Sequence, residues 1–389
     1  TYGTLPCTAS NASPLECFNT RYSCQDPTNY SPVAKSHKFA DVDVWQVDGY
    51  APCIERVDMA PTKIIPGGGL SIKSKLSVTL LDFTHHDRDT DPYWATRNYV
   101  ASDNGTYFGK LFARNPHYWG RVMRLRVGVP GLEKHSFTEV GQYHFLIDTI
   151  EGPDAKGKVK ITGRDPLMLA DNEKAQCPPL SSGVLSAALA NNVTNRVELS
   201  TGAAVDYPAP GVIRVNDELI IYQAVDLVND WLETLTRGAL GTDPEDHEAG
   251  DLAQLCKWYD QVSPIDVIND LLTNYADVNP ALIPYTDWQN EQNLWFPGSV
   301  LTNCLSDPTA VSELLHDACA QSAINLFWDS GANQIKLLAD YRTELGETLD
   351  TYNDTKHLLD RRSAIKRDPK MRLSQVWVYH TPNNYINAS

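Results

Sequence analysis

The chain has 389 residues, 42 % hydrophobic and 21 % charged, with 24 prolines and 23 glycines, a balance that fits a turn-rich globular protein and excludes disordered and fibrous classes. No apolar run approaches the roughly 20 residues that a membrane-crossing helix needs. The net charge is −16 and the basic residues are scattered, so there is no footprint for a nucleic-acid backbone, and direct DNA or RNA binding is not expected.

Residues 1–40 carry Cys7, Cys17 and Cys24 among the turn signals Ser13-Pro14, Asp26-Pro27 and Ser31-Pro32, with almost no periodicity. They are predicted to run irregularly over a surface and to need an anchor. The start, Thr1-Tyr2-Gly3, lacks the charged and apolar stretches of a signal peptide, and Thr1 fits a small residue exposed by methionine removal. The expectation is therefore a reducing cytosol, where thiolate ligation gains over cystine, in a chain long enough to build a core without staples.

Residues 41–175 read as a first barrel-like β domain. Leu76, Val78 and Leu80 alternate with Lys75, Ser77 and Thr79, and the pattern returns at 143–150 and 158–162, as half-buried strands require. Pro66-Gly67-Gly68-Gly69, Pro130-Gly131 and Gly152-Pro153-Asp154 supply turns for an antiparallel sheet or barrel. A small inserted β domain is predicted over 176–257, with strands at 212–215, 219–222 and 232–236 and a short hairpin at Asn216-Asp217-Glu218.

An α+β domain follows over 258–345. Ser263, Pro264 and Asp266 form an N-cap, a first-turn proline and a capping-box acid, ahead of Ile265, Ile268, Leu272 and Tyr275 on one face. Asp307-Pro308 is expected to repeat the device before Val311, Leu314, Leu315, Ala318 and Cys319. Ser330-Gly331-Ala332-Asn333 joins strands at 324–328 and 334–339. Residues 346–389 hold one more alternating strand, 375–379, read as a return toward a second barrel that continues past the visible end.

The N-terminal cysteines are spaced C-x9-C and C-x6-C, matching neither zinc ribbons nor ferredoxin runs. Spacing alone leaves both metal ligation and free thiols open. A fourth ligand has to come from Cys53, Cys177, Cys256, Cys304 or Cys319, of which Cys319 sits on an apolar helix face and reads as core. Asp87, Asp89 and Asp91 echo a calcium loop, but Pro92 and Asn98 stand where that loop needs glycine and a carboxylate. His85 and His86, adjacent on an extended chain, point to opposite faces.

His247, in the acidic stretch 243–248, is a candidate general acid or base, and Asp41 with Asp43 a candidate carboxylate pair. No nucleophile, zinc-protease, P-loop or dinucleotide motif accompanies them, so no enzyme is expected. The sequons at Asn11 and Asn104 matter only in a secretory pathway.

Several stretches stand in order along the chain: Cys7-Thr8-Ala9-Ser10, Glu16-Cys17-Phe18-Asn19-Thr20-Arg21, Cys24-Gln25-Asp26-Pro27, Asp82-Phe83 with Asp91-Pro92-Tyr93 and Arg97, Ala113-Arg114-Asn115-Pro116 and Gly152-Pro153-Asp154-Ala155. Asp165-Pro166-Leu167 with Leu169-Ala170-Asp171, Leu235-Thr236-Arg237-Gly238, His247 with Gly250-Asp251, Cys256, Asp270-Leu271-Leu272 with Asn274-Tyr275-Ala276 and Gln375-Val376-Trp377-Val378-Tyr379 follow. Together they are similar to the tail hub, or tail-tip, proteins of long-tailed phages and gene transfer agents, with a tail-delivered cell-wall hydrolase and a secreted disulfide-rich binding module as the alternatives. The resemblance implies a mainly β, homotrimeric structural hub of barrel-like domains with smaller linking domains. It implies a virion location, after synthesis in the host cytoplasm, between the distal tail ring and the central fibre, with the tape-measure protein as a further partner. It also implies an iron–sulphur cluster, a 4Fe-4S centre with zinc as the alternative, held by Cys7, Cys17, Cys24 and Cys256, with Cys177 the rival for the fourth place. A centre closed by four thiolates is a mechanical staple for the N-terminal segment.

Overall fold

The computed structural model describes residues 2–3, 20–41, 49–65, 69–85, 91, 93–94, 105–130 and 137–340. It is mostly β, about 40 % strand against 20 % helix, which places it in the β-rich class expected. The chain divides into two compact units: one of residues 1–175, 263–299 and 310–339, the other of 176–262, 300–309 and 340–389. Among the described residues no helix is long and apolar enough to cross a membrane.

In the first unit β1 (Tyr2–Gly3) pairs with β2 (Pro32–Val33). A curled sheet follows, built from β3 (Phe39–Asp41), β4 (Ala51–Ala60), β5 (Lys75–Leu81), β6 (Val122–Pro130), β7 (Phe137–Glu151) and β8 (Lys158–Arg164). Its spatial order is β3-β4-β5-β8-β7-β6, antiparallel except for β3 on β4. The period of two explains the core: Leu76, Val78 and Leu80 of β5 all point inward and pack with Cys53, Phe145 and Val159. Each such buried side chain contributes about 1.5–3 kcal/mol relative to exposure.

Phe108 and Leu111 join the same core from α1 (Tyr107–Arg114), a helix the sequence reading left out. Thr106 caps it, its Oγ1 accepting from the Gly109 N–H.

In the second unit, after β9 (Gln176–Cys177), come β10 (Arg196–Glu198), β11 (Gly211–Val215), β12 (Glu218–Asp226), β13 (Trp231–Thr236), β14 (Ala253–Val262) and β15 (Leu301–Leu305). They form one sheet in the order β10-β13-β12-β11-β14-β15. The hairpin foreseen at 216–218 is present, with Val215 opposite Glu218 and Asn216 in the left-handed conformation at φ 51°. Both faces are covered. Ile213, Val215, Ile220, Tyr222, Leu232 and Ala253 enter a large core on one side, and Val212, Leu219, Cys256 and Cys304 enter a smaller one on the other.

The helical segments within 263–299 and 310–339 belong to the first unit. There α2 (Pro264–Asp270) is capped as foreseen, Ser263 Oγ accepting from the Asp266 N–H, and runs into a π turn over Leu271–Tyr275. A further helix, α3 (Tyr285–Trp295), was not foreseen, and the donated hydrogen bond from Trp288 Nε1 to the Ile335 carbonyl, 3.0 Å, ties it to the hairpin at 324–339.

At Asp307-Pro308 the expected cap is not formed. The short β16 (Thr309–Ala310) intervenes and α4 (Val311–Gln321) begins without a side-chain cap, because the Asp307 carboxylate is drawn to Arg214. The hairpin of β17 (Ile324–Asp329) and β18 (Gln334–Ala339) turns where predicted, Asp329 Oδ1 accepting from the Gly331 and Ala332 N–H groups. It docks on β7 through Trp328 Nε1 donating to the His144 carbonyl and the His144 N–H donating to Ser330, each at 3.0 Å. Gly69 permits the neighbouring approach: a Cβ there meets Cys319 Cβ at 3.2 Å and the Ala320 nitrogen at 3.3 Å.

Candidate metal centre

Of the four cysteines tied to the metal centre by resemblance, Cys7 and Cys17 lie outside the described residues. Cys24 is half-buried in the first unit, in a turn closed by its own N–H donating to the Arg21 carbonyl. Buried Thr20 anchors that turn, its Oγ1 donating to the carbonyl of Arg114 at the end of α1, 3.4 Å away. Cys256 belongs to the second unit and lies buried on β14 opposite Val212.

The remaining cysteines divide by environment. Cys53 and Cys319 sit in apolar cores, where burial pushes each thiol up to about 12, the posture of inert core residues. Cys177 is fully buried in the second unit. Cys304, on β15, is different. Its direct cross-strand partner is Trp258, so it occupies the diagonal position to Cys256 on the same sheet face.

Interaction with the Cys304 thiol and burial raise the pKa of Cys256, while interaction with Cys256 lowers that of Cys304. Cys256 Sγ also reaches the Gln254 carbonyl at 3.6 Å. Val212, Leu219, Ile221 and Leu240 wall the pair. Beside it Arg214 and Asp307 form a two-pronged ion pair, with N–O distances of 2.6 and 3.1 Å. The two sulphurs are soft donors, whereas the adjacent guanidinium is a cation with no lone pair to offer a metal. Among the described residues no group of three or more His, Cys, Asp or Glu side chains is gathered for a metal.

His247, the candidate acid or base, is a brace. Its Nε2 meets Glu218 Oε2 at 2.8 Å, and neither side chain reaches solvent. Glu218 also accepts from Arg237 Nε and Nη2, both at 2.7 Å, from the Gly238 N–H at 2.8 Å and from the Glu245 N–H at 3.1 Å. Arg237 Nη1 donates onward to the carbonyls of Ala190 and Val193. The left-handed φ of +57° at Gly238, with Pro244 Cδ 2.6 Å from where a Cβ would stand, lets the chain turn tightly around the carboxylate. Burial alone raises a carboxyl group, but these donors outweigh it and hold Glu218 down at about 2. Arg237 and Glu218 were visible in the sequence only as turn neighbours. Nothing local marked them as partners of His247.

Asp91 is buried and accepts from the Tyr93 N–H at 2.9 Å, whereas Asp87, Asp89, His86 and Asp43 lie outside the described residues, as do Asn11 and Asn104. No family model matches the chain, and neither the curated proteins nor the solved structures contain a significant match.

Proposed function

We propose that this chain is a structural virion protein: a protomer of a homotrimeric tail hub that joins the distal tail ring to the central fibre. The observation that carries the reading is the ordered set of hub-like stretches from Cys7 to Tyr379. The β-rich composition and the two sheet-based units accord with it.

Sheet edges without a partner strand among the described residues of the first unit add a physical argument. Among those residues β6 lies at one edge and exposes Val122, Val127 and Val129, while residues 137–145 of β7 pair with β6 and not with β8. At the opposite edge β3 covers β4 only as far as Ile54, and the exposed run beyond includes Val57 and Met59. Edges with free backbone groups and apolar side chains are templates for pairing with another chain, as a ring of protomers requires.

The same reading includes a metal centre ligated by Cys7, Cys17, Cys24 and Cys256, an iron–sulphur cluster or zinc, which would supply coordination closed to substrate and so act as a staple. This chain's part is to present deprotonated sulphurs, Cys256 from a rigid strand and the others from the irregular N-terminal segment.

The test is assembly. The purified full chain at micromolar concentration is examined by light scattering and by pull-down of distal-ring and tail-tube proteins. A trimer that captures the ring is expected; a monomer that binds neither overturns the reading. Anaerobic purification with iron, sulphide and zinc quantified tests the centre separately.

A further inference from the structure

The edge strand β6 belongs to a stretch whose charge runs against the rest of the molecule. Between residues 105 and 130 stand Lys110, Arg114, Arg121, Arg124 and Arg126 and no Asp or Glu, in a chain of net charge −16. We propose that this edge is a strand-addition site for an extended acidic segment of a partner protein. The inference deepens the hub reading, rests on it only in using the same sheet edge, and names what that edge recognises.

The backbone supplies the first half of the argument. Among the described residues β6 is paired on one side only, with β7. In such a strand every second residue turns its N–H and C=O away from the sheet, toward the place of a further strand. The edge is also held firmly. Met123 and Leu125 pack against the buried core of the sheet. The turn leading into β6 is tied down by the Gly120 N–H donating to the Ile147 carbonyl and the Ile147 N–H donating to the Arg121 carbonyl, both at 2.8 Å. A preformed edge spares a ligand the cost of ordering its receptor.

The side chains supply the rest. By alternation Val122 and Arg124 stand on the face opposite to Met123 and Leu125, and both are exposed, as are Trp119, Val127 and Val129. Of the five cations, Arg114 is buried, Lys110 donates to the His85 carbonyl and Arg126 is paired with Glu139. Arg121 and Arg124 are exposed, and neither has an ion pair with a described carboxylate. Two guanidiniums beside apolar side chains on an unpaired ladder select a strand that alternates carboxylates with apolar residues. Main-chain bonds give such a complex its affinity, and the arginines decide the sign of charge accepted. An anionic polymer without a peptide backbone meets the charge but leaves the ladder unpaired.

The experiment titrates the full chain into a fluorescein-labelled peptide of alternating glutamate and valine, followed by fluorescence anisotropy. The further probes are its lysine–valine counterpart, the acidic peptide N-methylated throughout, and a thymidine oligonucleotide as competitor. The acidic peptide should bind at least tenfold more tightly than either of the other peptides. Arg124→Glu should weaken it at least tenfold and favour the lysine peptide, while Lys174→Glu, at an exposed position outside this stretch, should change nothing. The comparison with the N-methylated peptide needs no variant to fold. Equal binding of the plain and N-methylated peptides overturns strand addition, and so does displacement by the oligonucleotide at a lower concentration than by unlabelled acidic peptide. Absence of peptide binding in a chain that trimerises and captures the distal ring overturns the site and leaves the hub standing. Peptide binding by a chain that stays monomeric and captures no tail protein upholds the site and overturns the hub.

Discussion

Glu218 and Arg237, nineteen residues apart, meet as a fork on a fork, Nε to Oε1 and Nη2 to Oε2, both at 2.7 Å, with side-chain exposures of 0 % and 3 %. Such a pair is worth little in net stability against an apolar replacement, but removing one partner strands a charge. Here the stranded charge would also face His247 and two backbone donors.

Arg237→Met should accordingly destabilise the second unit by about 3–5 kcal/mol. Glu218→Gln, which keeps shape and part of the hydrogen bonding, should cost less. Urea denaturation followed by the fluorescence of Trp231 and Trp258 gives both values. Equal stability of Arg237→Met and wild type would remove the brace from the account.

The same carboxylate sets an acid limit. Its pKa is about 2 in the folded chain against an ordinary 4.5, so its contribution is fully present above pH 4.5 and is lost as pH falls from there toward 2. The shift corresponds to about 3 kcal/mol at most. Between pH 5 and pH 3 the wild type should lose more stability than Glu218→Gln by about 1–2 kcal/mol. Parallel curves would contradict this.

Asp165 runs the other way. It is buried at the start of the turn Pro166–Asp171, and burial pushes it up to about 6 from 3.8, only partly opposed by hydrogen bonds from Ser74 and the charge of Lys73. A raised acid contributes stability below pH 3.8 that is lost as pH rises through 6. Asp165→Asn should raise the melting temperature of the first unit at pH 7.5 and have little effect at pH 4, as calorimetry at the two pH values would reveal.

Gly69→Ala should destabilise by about 1–3 kcal/mol, since the residue has φ +68° and a Cβ would press on Cys319 Cβ at 3.2 Å and on the backbone of α4 at 3.3 Å. Gly120→Ala, equally left-handed at φ +72° but facing open space, should cost about 1 kcal/mol. Thermal melts of the two variants separate conformational strain from collision.

Much of the local structure was legible. The alternation at Leu76, Val78 and Leu80, the hairpins at 216–218 and 330–333 and the Ser263 cap all appear where the pattern put them. Each depends on residues two to four apart, and side-chain direction over that distance follows from backbone geometry alone. The helix at 107–114 was missed because Gly109 and a cluster of aromatics weaken its propensity, and packing of Phe108 and Leu111 supplies what propensity lacks.

By itself, then, the sequence determined a β-rich chain with identifiable strands, turns and caps, because those rest on near neighbours. Only the tertiary structure decided that Asp307 answers Arg214 rather than capping a helix, that His247 braces Glu218 and Arg237, and that Cys304 lies diagonal to Cys256. Those partnerships span from 19 to 93 residues. They are set by which strands lie side by side, a choice made by burying whole sheet faces and by satisfying buried charge, and no short stretch of chain carries either quantity.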